Sequence, residues 1–222
     1  MADSMIYTDS DLVITVFDSA LSTRVIRHPE RAFALEATFN LRHAMFVTLS
    51  SKKPPMHFHQ HQEEYLQVLE GPLAFEHAGN KRMMIPSDGK FTIRPGINHR
   101  AYPVAPEESD DDNRLAPSSS STLKSLISGE KTTEVLSLNL LFFENCHLYQ
   151  EQLITKGQKP DFIQVLSTFD PGGSYLSLPE WVPFGRSLAL GRLLGYQPFY
   201  REWSTDWDLA CSRMRHLPFQ MR

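Results

Sequence analysis

The chain is poor in cysteine, carries no block of basic residues and has no long apolar run. Two cysteines in 222 residues, Cys146 and Cys211, are too few for a disulfide framework and read as ordinary small apolar side chains of a reducing compartment. Lysine and arginine number 22 against 26 acids, a formal charge of -4. That balance, with no basic cluster, argues against a nucleic-acid surface as the main business of the chain. A small-molecule partner is the expectation instead. No apolar stretch reaches the roughly 20 residues of a membrane-spanning helix. The first residues are acidic where a secretory leader is basic and contain no continuous apolar segment, so a cytoplasmic location is expected. No internal repeat and no helix-turn-helix signature is present. Apolar residues make up 41% of the chain, ample for a buried core in one large domain.

From residue 12 to about residue 103 the chain is a series of short segments, such as LVITVF, RAFALEATFNL, AMFVTLS, YLQVLEG, LAFEHAG and KFTIRPG, separated by Pro, Gly, Asn and Asp. Close-spaced short strands with turn signals between them predict an all-β sandwich or barrel. Gly79 and Asn80 mark a hairpin turn, since both tolerate positive φ. Residues 104–129 are rich in acid, serine and proline and are expected to form a flexible insertion. The β pattern resumes over residues 133–143. Beyond residue 148 the pattern turns helical, with one helix stopping at Gly157 and another starting at Pro179 and Glu180. The expected organisation is a β-barrel over residues 1–147 and a helical extension over residues 148–222, packed on its outside. The tryptophans Trp181, Trp203 and Trp207 are most simply packing residues.

The densest chemistry lies in PPMHFHQHQEEYLQVLEG, residues 54–71. Residues two apart on a strand face the same way, so His57 and His59 can approach one metal ion together. His61 shares that parity. Downstream, Pro95 and Gly96 make a tight turn and His99 opens the next strand, where antiparallel pairing can bring it beside the first two. With Glu64, which opens the strand after the histidines, four ligands converge: His57, His59, Glu64 and His99. Taken singly, His43, His77, His147 and His216 read as surface or satisfied core residues.

At these residues the chain resembles the cupin superfamily. His57, Phe58 and His59, four intervening residues, Glu64, six more and Gly71 follow the first cupin motif, without its leading glycine. Gly89, Gly96 and His99 follow the second, with Arg94 in the usual proline position and Pro103 in place of the closing asparagine. His61 and Glu63 miss the motif spacing. The resemblance spans roughly residues 40–143 and implies a jelly-roll barrel, the double-stranded β-helix, with a C-terminal helical extension and, by habit of the class, a homodimer. Residues 191–203 are loosely similar to the tails of single-domain fungal cupins, some from natural-product gene clusters.

Three imidazoles and a carboxylate suit Fe(II), the first expectation, and also Mn(II), Ni(II), Cu(II) or Zn(II). With a redox metal the expected activity is oxygenase chemistry on a small phenolic, enolic or polyketide-like substrate. With a redox-silent ion the same site supports a lyase, isomerase or cyclase. A non-catalytic ligand-binding cupin is the third alternative. Phe46, Phe75, Met84 and Tyr102 are expected either to line the mouth or to fill the core, and Arg94 and Arg100 either to meet an anionic substrate or to be solvated.

Overall fold

The computed structural model describes residues 12–45, 53–104, 121–177, 191 and 193–216. Eleven strands are described: β1 (Val13–Val16), β2 (Leu21–Val25), β3 (Arg31–Asn40), β4 (His57–His59), β5 (Glu64–Glu70), β6 (Leu73–His77), β7 (Asn80–Met84), β8 (Lys90–Ile93), β9 (His99–Pro103), β10 (Thr122–Glu130) and β11 (Ser174–Leu176). The α-helices whose bounds are described are α1 (Leu140–Thr155), α2 (Phe162–Phe169) and α3 (Trp207–His216). The strands form two antiparallel sheets, one in the order β1-β2-β3-β10-β5-β8 and the other β11-β4-β9-β6-β7. The two facing sheets bear out the all-β class expected from the strand spacing and the jelly-roll form that the cupin resemblance implies.

Period-2 burial sets the inner faces. On β2, Leu21, Thr23 and Val25 are buried between more exposed neighbours, and on β5 Glu64, Leu66 and Val68 are buried in the same way. Glu64 therefore lies in line with two core residues, on the face turned toward the opposite sheet. The core between the sheets includes Leu35, Leu66, Val68, Phe75, Met84 and Leu123. The hairpin between β6 and β7 turns on Ala78 and Gly79, with φ of 50° and 82°, between the paired residues His77 and Asn80. The turn sits one residue earlier than expected, because the left-handed pair is Ala-Gly rather than Gly-Asn.

Two expectations fail downstream. Residues 121–130 belong to no insertion: β10 is a central strand, paired with β3 on one side and β5 on the other. Its buried positions include Ser125, Ser128 and Gly129, so a fully inserted strand reads as linker because several of its buried residues are small and polar. The strand expected over residues 133–143 is a loop followed by the first turn of α1. Asn139 caps that helix, its Oδ1 accepting the Phe142 N–H at 3.2 Å. Leu140 and Phe142 belong to the same core as the sheets, with Phe143, Leu148 and Ile154 packed against it. The boundary expected at residue 147 thus falls inside a helix that packs into the barrel. Phe46, Trp181 and the helix start at Pro179 lie outside the described residues. Trp203 packs on Tyr149 and Tyr200 at 5.6 and 4.7 Å between ring centroids. Cys146 and Cys211 are free thiols. Among the described residues no helix is long and apolar enough to cross a membrane.

Candidate metal centre

The four residues singled out from the sequence meet between the two sheets. His57 and His59 lie on β4, and His57 pairs in register with His99 of β9. The turn before β9 is tied to the same strand: the Gly96 N–H donates to the His59 carbonyl at 2.7 Å, and Gly96 adopts φ of 77°, a conformation that glycine takes without strain. Glu64 comes from the opposite sheet. Its Oε2 is 3.0 Å from His59 Nε2 and 2.9 Å from His99 Nε2. One ligand atom from each of the four residues lies within 4.8 Å of all the others. Donors bound at about 2.1 Å and at right angles stand about 3 Å apart, so the spacing of these atoms fits one divalent cation.

The outer nitrogen of each ring is also occupied. His57 Nδ1 faces the Pro55 carbonyl at 3.2 Å, His99 Nδ1 faces the Ile97 carbonyl at 2.9 Å, and His59 Nδ1 faces the Ser174 hydroxyl at 2.9 Å. Such partners fix ring orientation and leave Nε2 to face the centre. Burial raises the Glu64 carboxyl, but hydrogen bonds from His59 and His99 outweigh it and hold the group well below the usual carboxylate range. Burial lowers His99, yet the hydrogen bond and charge of Glu64, with the Ile97 carbonyl, bring a net rise. His57 is pushed down to about 3 by burial and by the neighbouring imidazoles of His99 and His59. An imidazole kept neutral with its Nε2 free is the ligating form.

The near misses in spacing point elsewhere. His61 is exposed, and Glu63 Oε2 accepts the Tyr65 hydroxyl at 2.8 Å. The expected substrate contacts are not at the centre either. Phe75 is fully buried, with its ring on His77 at 5.5 Å and Phe91 at 5.1 Å, and is a core residue like Met84. Arg94 is exposed just beyond β8. Arg100 and Tyr102 alternate with His99 along β9 and so face the other side of the sheet. There they bind Glu76, at 2.6 Å from Arg100 Nη2 and 2.7 Å from the Tyr102 hydroxyl, with Lys53 Nζ at 3.2 Å.

Burial raises the Glu76 carboxyl, while the bonds from Tyr102, Arg100 and Lys53 more than offset it and bring the group from an ordinary 4.5 to about 2. A depressed carboxyl contributes stability that is present above the unfolded value and lost as pH falls through the folded one. The chain should therefore lose stability between pH 4.5 and about 2, and Glu76→Gln should flatten that part of the profile. Urea unfolding midpoints over this range check it; parallel profiles for the two proteins would refute it.

Two residues near the centre were not foreseen. Phe169, at the end of α2, sets its ring edge-on to His57 at 6.1 Å and continues through Phe142 at 5.6 Å. Ser174 arrives on β11, which pairs with β4 so that Ser174 stands opposite His59. The only local signal was the Gly172-Gly173 pair before it, a sign of close backbone approach. His77 neighbours His99 across the sheet but is not one of the four, and His147 packs on Phe143 at 6.2 Å.

Facing antiparallel sheets with three imidazoles and a carboxylate converging between them make a cupin-type fold. No protein-family model matches the chain. The chain is 37% identical over 221 residues to an oxidoreductase of Arthrobotrys oligospora, covering 94% of this chain and 83% of that protein. It is 35% identical over 230 residues to a probable oxidoreductase of Aspergillus niger, covering 97% and 85%, and 31% identical over 214 residues to an epoxidase of Aspergillus terreus, covering 87% and 63%. The chain belongs to this family of fungal oxidoreductases and is an enzyme. Among solved structures it is similar to a cupin-superfamily sugar phosphate isomerase of Silicibacter pomeroyi, at 15% identity over 51% of this chain and 60% of that one with a TM-score of 0.33, a likeness too slight to bear on function.

Proposed function

We propose that His57, His59, Glu64 and His99 hold one divalent cation, Fe(II) before Mn(II), Ni(II), Cu(II) or Zn(II), and that the enzyme uses dioxygen to oxidise a small, largely apolar organic substrate. The observation that carries this reading is the convergence of the four donor atoms, each ring turned by a partner on its other nitrogen. When bound, a redox-active cation of this kind supplies one-electron chemistry toward dioxygen and a substrate oxygen. Glu64 offsets one of its charges. The ring of Phe169 against His57, backed by Phe142, offers an apolar wall that suits a phenolic, enolic or polyketide-like molecule and keeps water from that side. The names of the relatives, oxidoreductases and an epoxidase, favour redox chemistry over a lyase, isomerase or cyclase. By resemblance the working unit is a homodimer.

Metal analysis of the purified protein, followed by oxygen uptake with phenolic and enolic substrates, tests the proposal. About one iron per chain and substrate-dependent oxygen uptake, both lost on chelation, are the expected results. Turnover without oxygen uptake would replace the oxygenase by the redox-silent alternative. A cation at about one hundred times its Kd should add about 2.7 kcal/mol to apparent stability, read as a rise in unfolding temperature.

A further inference from the structure

We propose that Ser174 is a positioning residue of the metal centre: its hydroxyl accepts the Nδ1 proton of His59 and so keeps the Nε2 lone pair of that ring turned toward the cation. The inference rests on the four-residue centre proposed above. A ligating histidine that uses Nε2 must carry its proton on Nδ1, and an acceptor for that proton sets both the tautomer and the ring angle.

The three rings obtain this acceptor in different ways. His57 and His99 each find a backbone carbonyl two residues earlier, at Pro55 and Ile97. His59 instead depends on a side chain 115 residues away. Residues directly opposite on antiparallel strands present their side chains to the same face, and the register sets Ser174 against His59. Bulk solvent does not reach the contact, since Ser174 is 0% exposed and His59 3%. The backbone on each side of the contact is also tied. Gln60 N–H donates to the Gly173 carbonyl at 3.3 Å, and the Ser177 N–H donates to the Met56 carbonyl at 2.9 Å.

Ser174 lies beyond the resemblance region, in the segment between α2 and the described C-terminal helix. That segment therefore completes the centre by supplying the side-chain partner of an outer ring nitrogen, and it does more than cover the barrel. Without the hydroxyl, the His59 ring can rotate or adopt the tautomer that places its lone pair on Nδ1, away from the other donors.

The test uses the full chain with Zn(II) as probe, which is diamagnetic and takes histidine and carboxylate ligands. Zinc affinity is measured by competition with a chromophoric chelator, and the imidazole nitrogens are observed by NMR on ¹⁵N-labelled protein. In the unsubstituted zinc-loaded chain His59 should carry a slowly exchanging proton on Nδ1. Ser174→Ala should bind zinc about 10- to 100-fold more weakly and lose the slow exchange at His59, while His57 and His99 keep theirs. A loss of packing alone would not single out one ring. A proton on Nε2 of His59 in the unsubstituted chain, or a zinc affinity of the variant within about twofold of it, overturns the inference while leaving the four-residue centre standing. An unsubstituted chain that binds no zinc and no iron overturns the centre and this inference together.

Discussion

Replacing His99 with alanine is expected to empty the metal centre and abolish oxygen uptake while the fold persists. Loss of an outer partner costs a metal site about 10- to 100-fold in affinity, and loss of a ligand itself should cost at least about 10³-fold. The fold should survive because the apolar core that includes Leu35, Leu66, Val68 and Leu123 does not need His99 for its packing. A smaller local cost is expected. Glu64 is nearly buried, and its Oε2 keeps only His59 once His99 is gone. A buried acceptor that loses a partner costs about 1–3 kcal/mol. His61→Ala, at an exposed position of the same HQHQ stretch, should change neither metal content nor activity. Metal content by elemental analysis, with urea unfolding on the same samples, makes the comparison. Full metal occupancy in His99→Ala would falsify the ligand assignment.

Gly173→Ala is expected to be the most destabilising of the small substitutions argued from this structure. Gly173 has φ of +62°, and a Cβ there would stand 2.5 Å from the Leu136 carbonyl oxygen. The left-handed conformation costs an alanine about 1 kcal/mol, and a backbone carbonyl yields only by displacing its own strand or loop. We expect a total loss of about 3 kcal/mol, or a fall in Tm of roughly 6–12 °C for a chain of this size. Gly157 separates the two contributions. Its φ is +61° and nothing lies within 4 Å of its Cβ position, so Gly157→Ala should cost only about 1 kcal/mol. Since β11 begins at the next residue, Gly173→Ala should also shift Ser174 from His59 and weaken zinc binding, which Gly157→Ala should not. Equal losses of stability in the two variants would mean that the Leu136 contact is not the cause.

The legible parts of this chain are those where a local rule coincides with the tertiary outcome. β5 and β8 follow from alternation and from the glycines that bound them, Gly71 after β5 and Gly89 before β8, and His57 and His59 from strand parity. The second histidine segment was legible through the Pro95-Gly96 turn, which the fold uses to clamp β9 onto β4. β10 is not legible as a strand because a strand in the middle of a sheet need not be apolar: Ser125 and Gly129 suit an interior crowded by larger neighbours. At Gly129 a Cβ would meet the Phe33 ring at 2.3 Å and the Gln62 amide at 2.8 Å. The start of α1 was misread because Leu140 to Phe143 is a continuous apolar run, which periodicity cannot assign; the cap at Asn139 decides it.

What the amino-acid order determined alone was the candidate donors His57, His59, Glu64 and His99, the alternation that pairs His57 with His59 and the all-β class, because each is carried by short local patterns. What only the tertiary structure decided was which groups hold those donors in place. Ser174 meets His59, Phe169 meets His57, and Tyr102 leaves the site for Glu76 on the other face. These pairings join segments far apart in the chain, and their geometry is set by register between strands and by close packing, for which a short stretch of sequence carries no local signal.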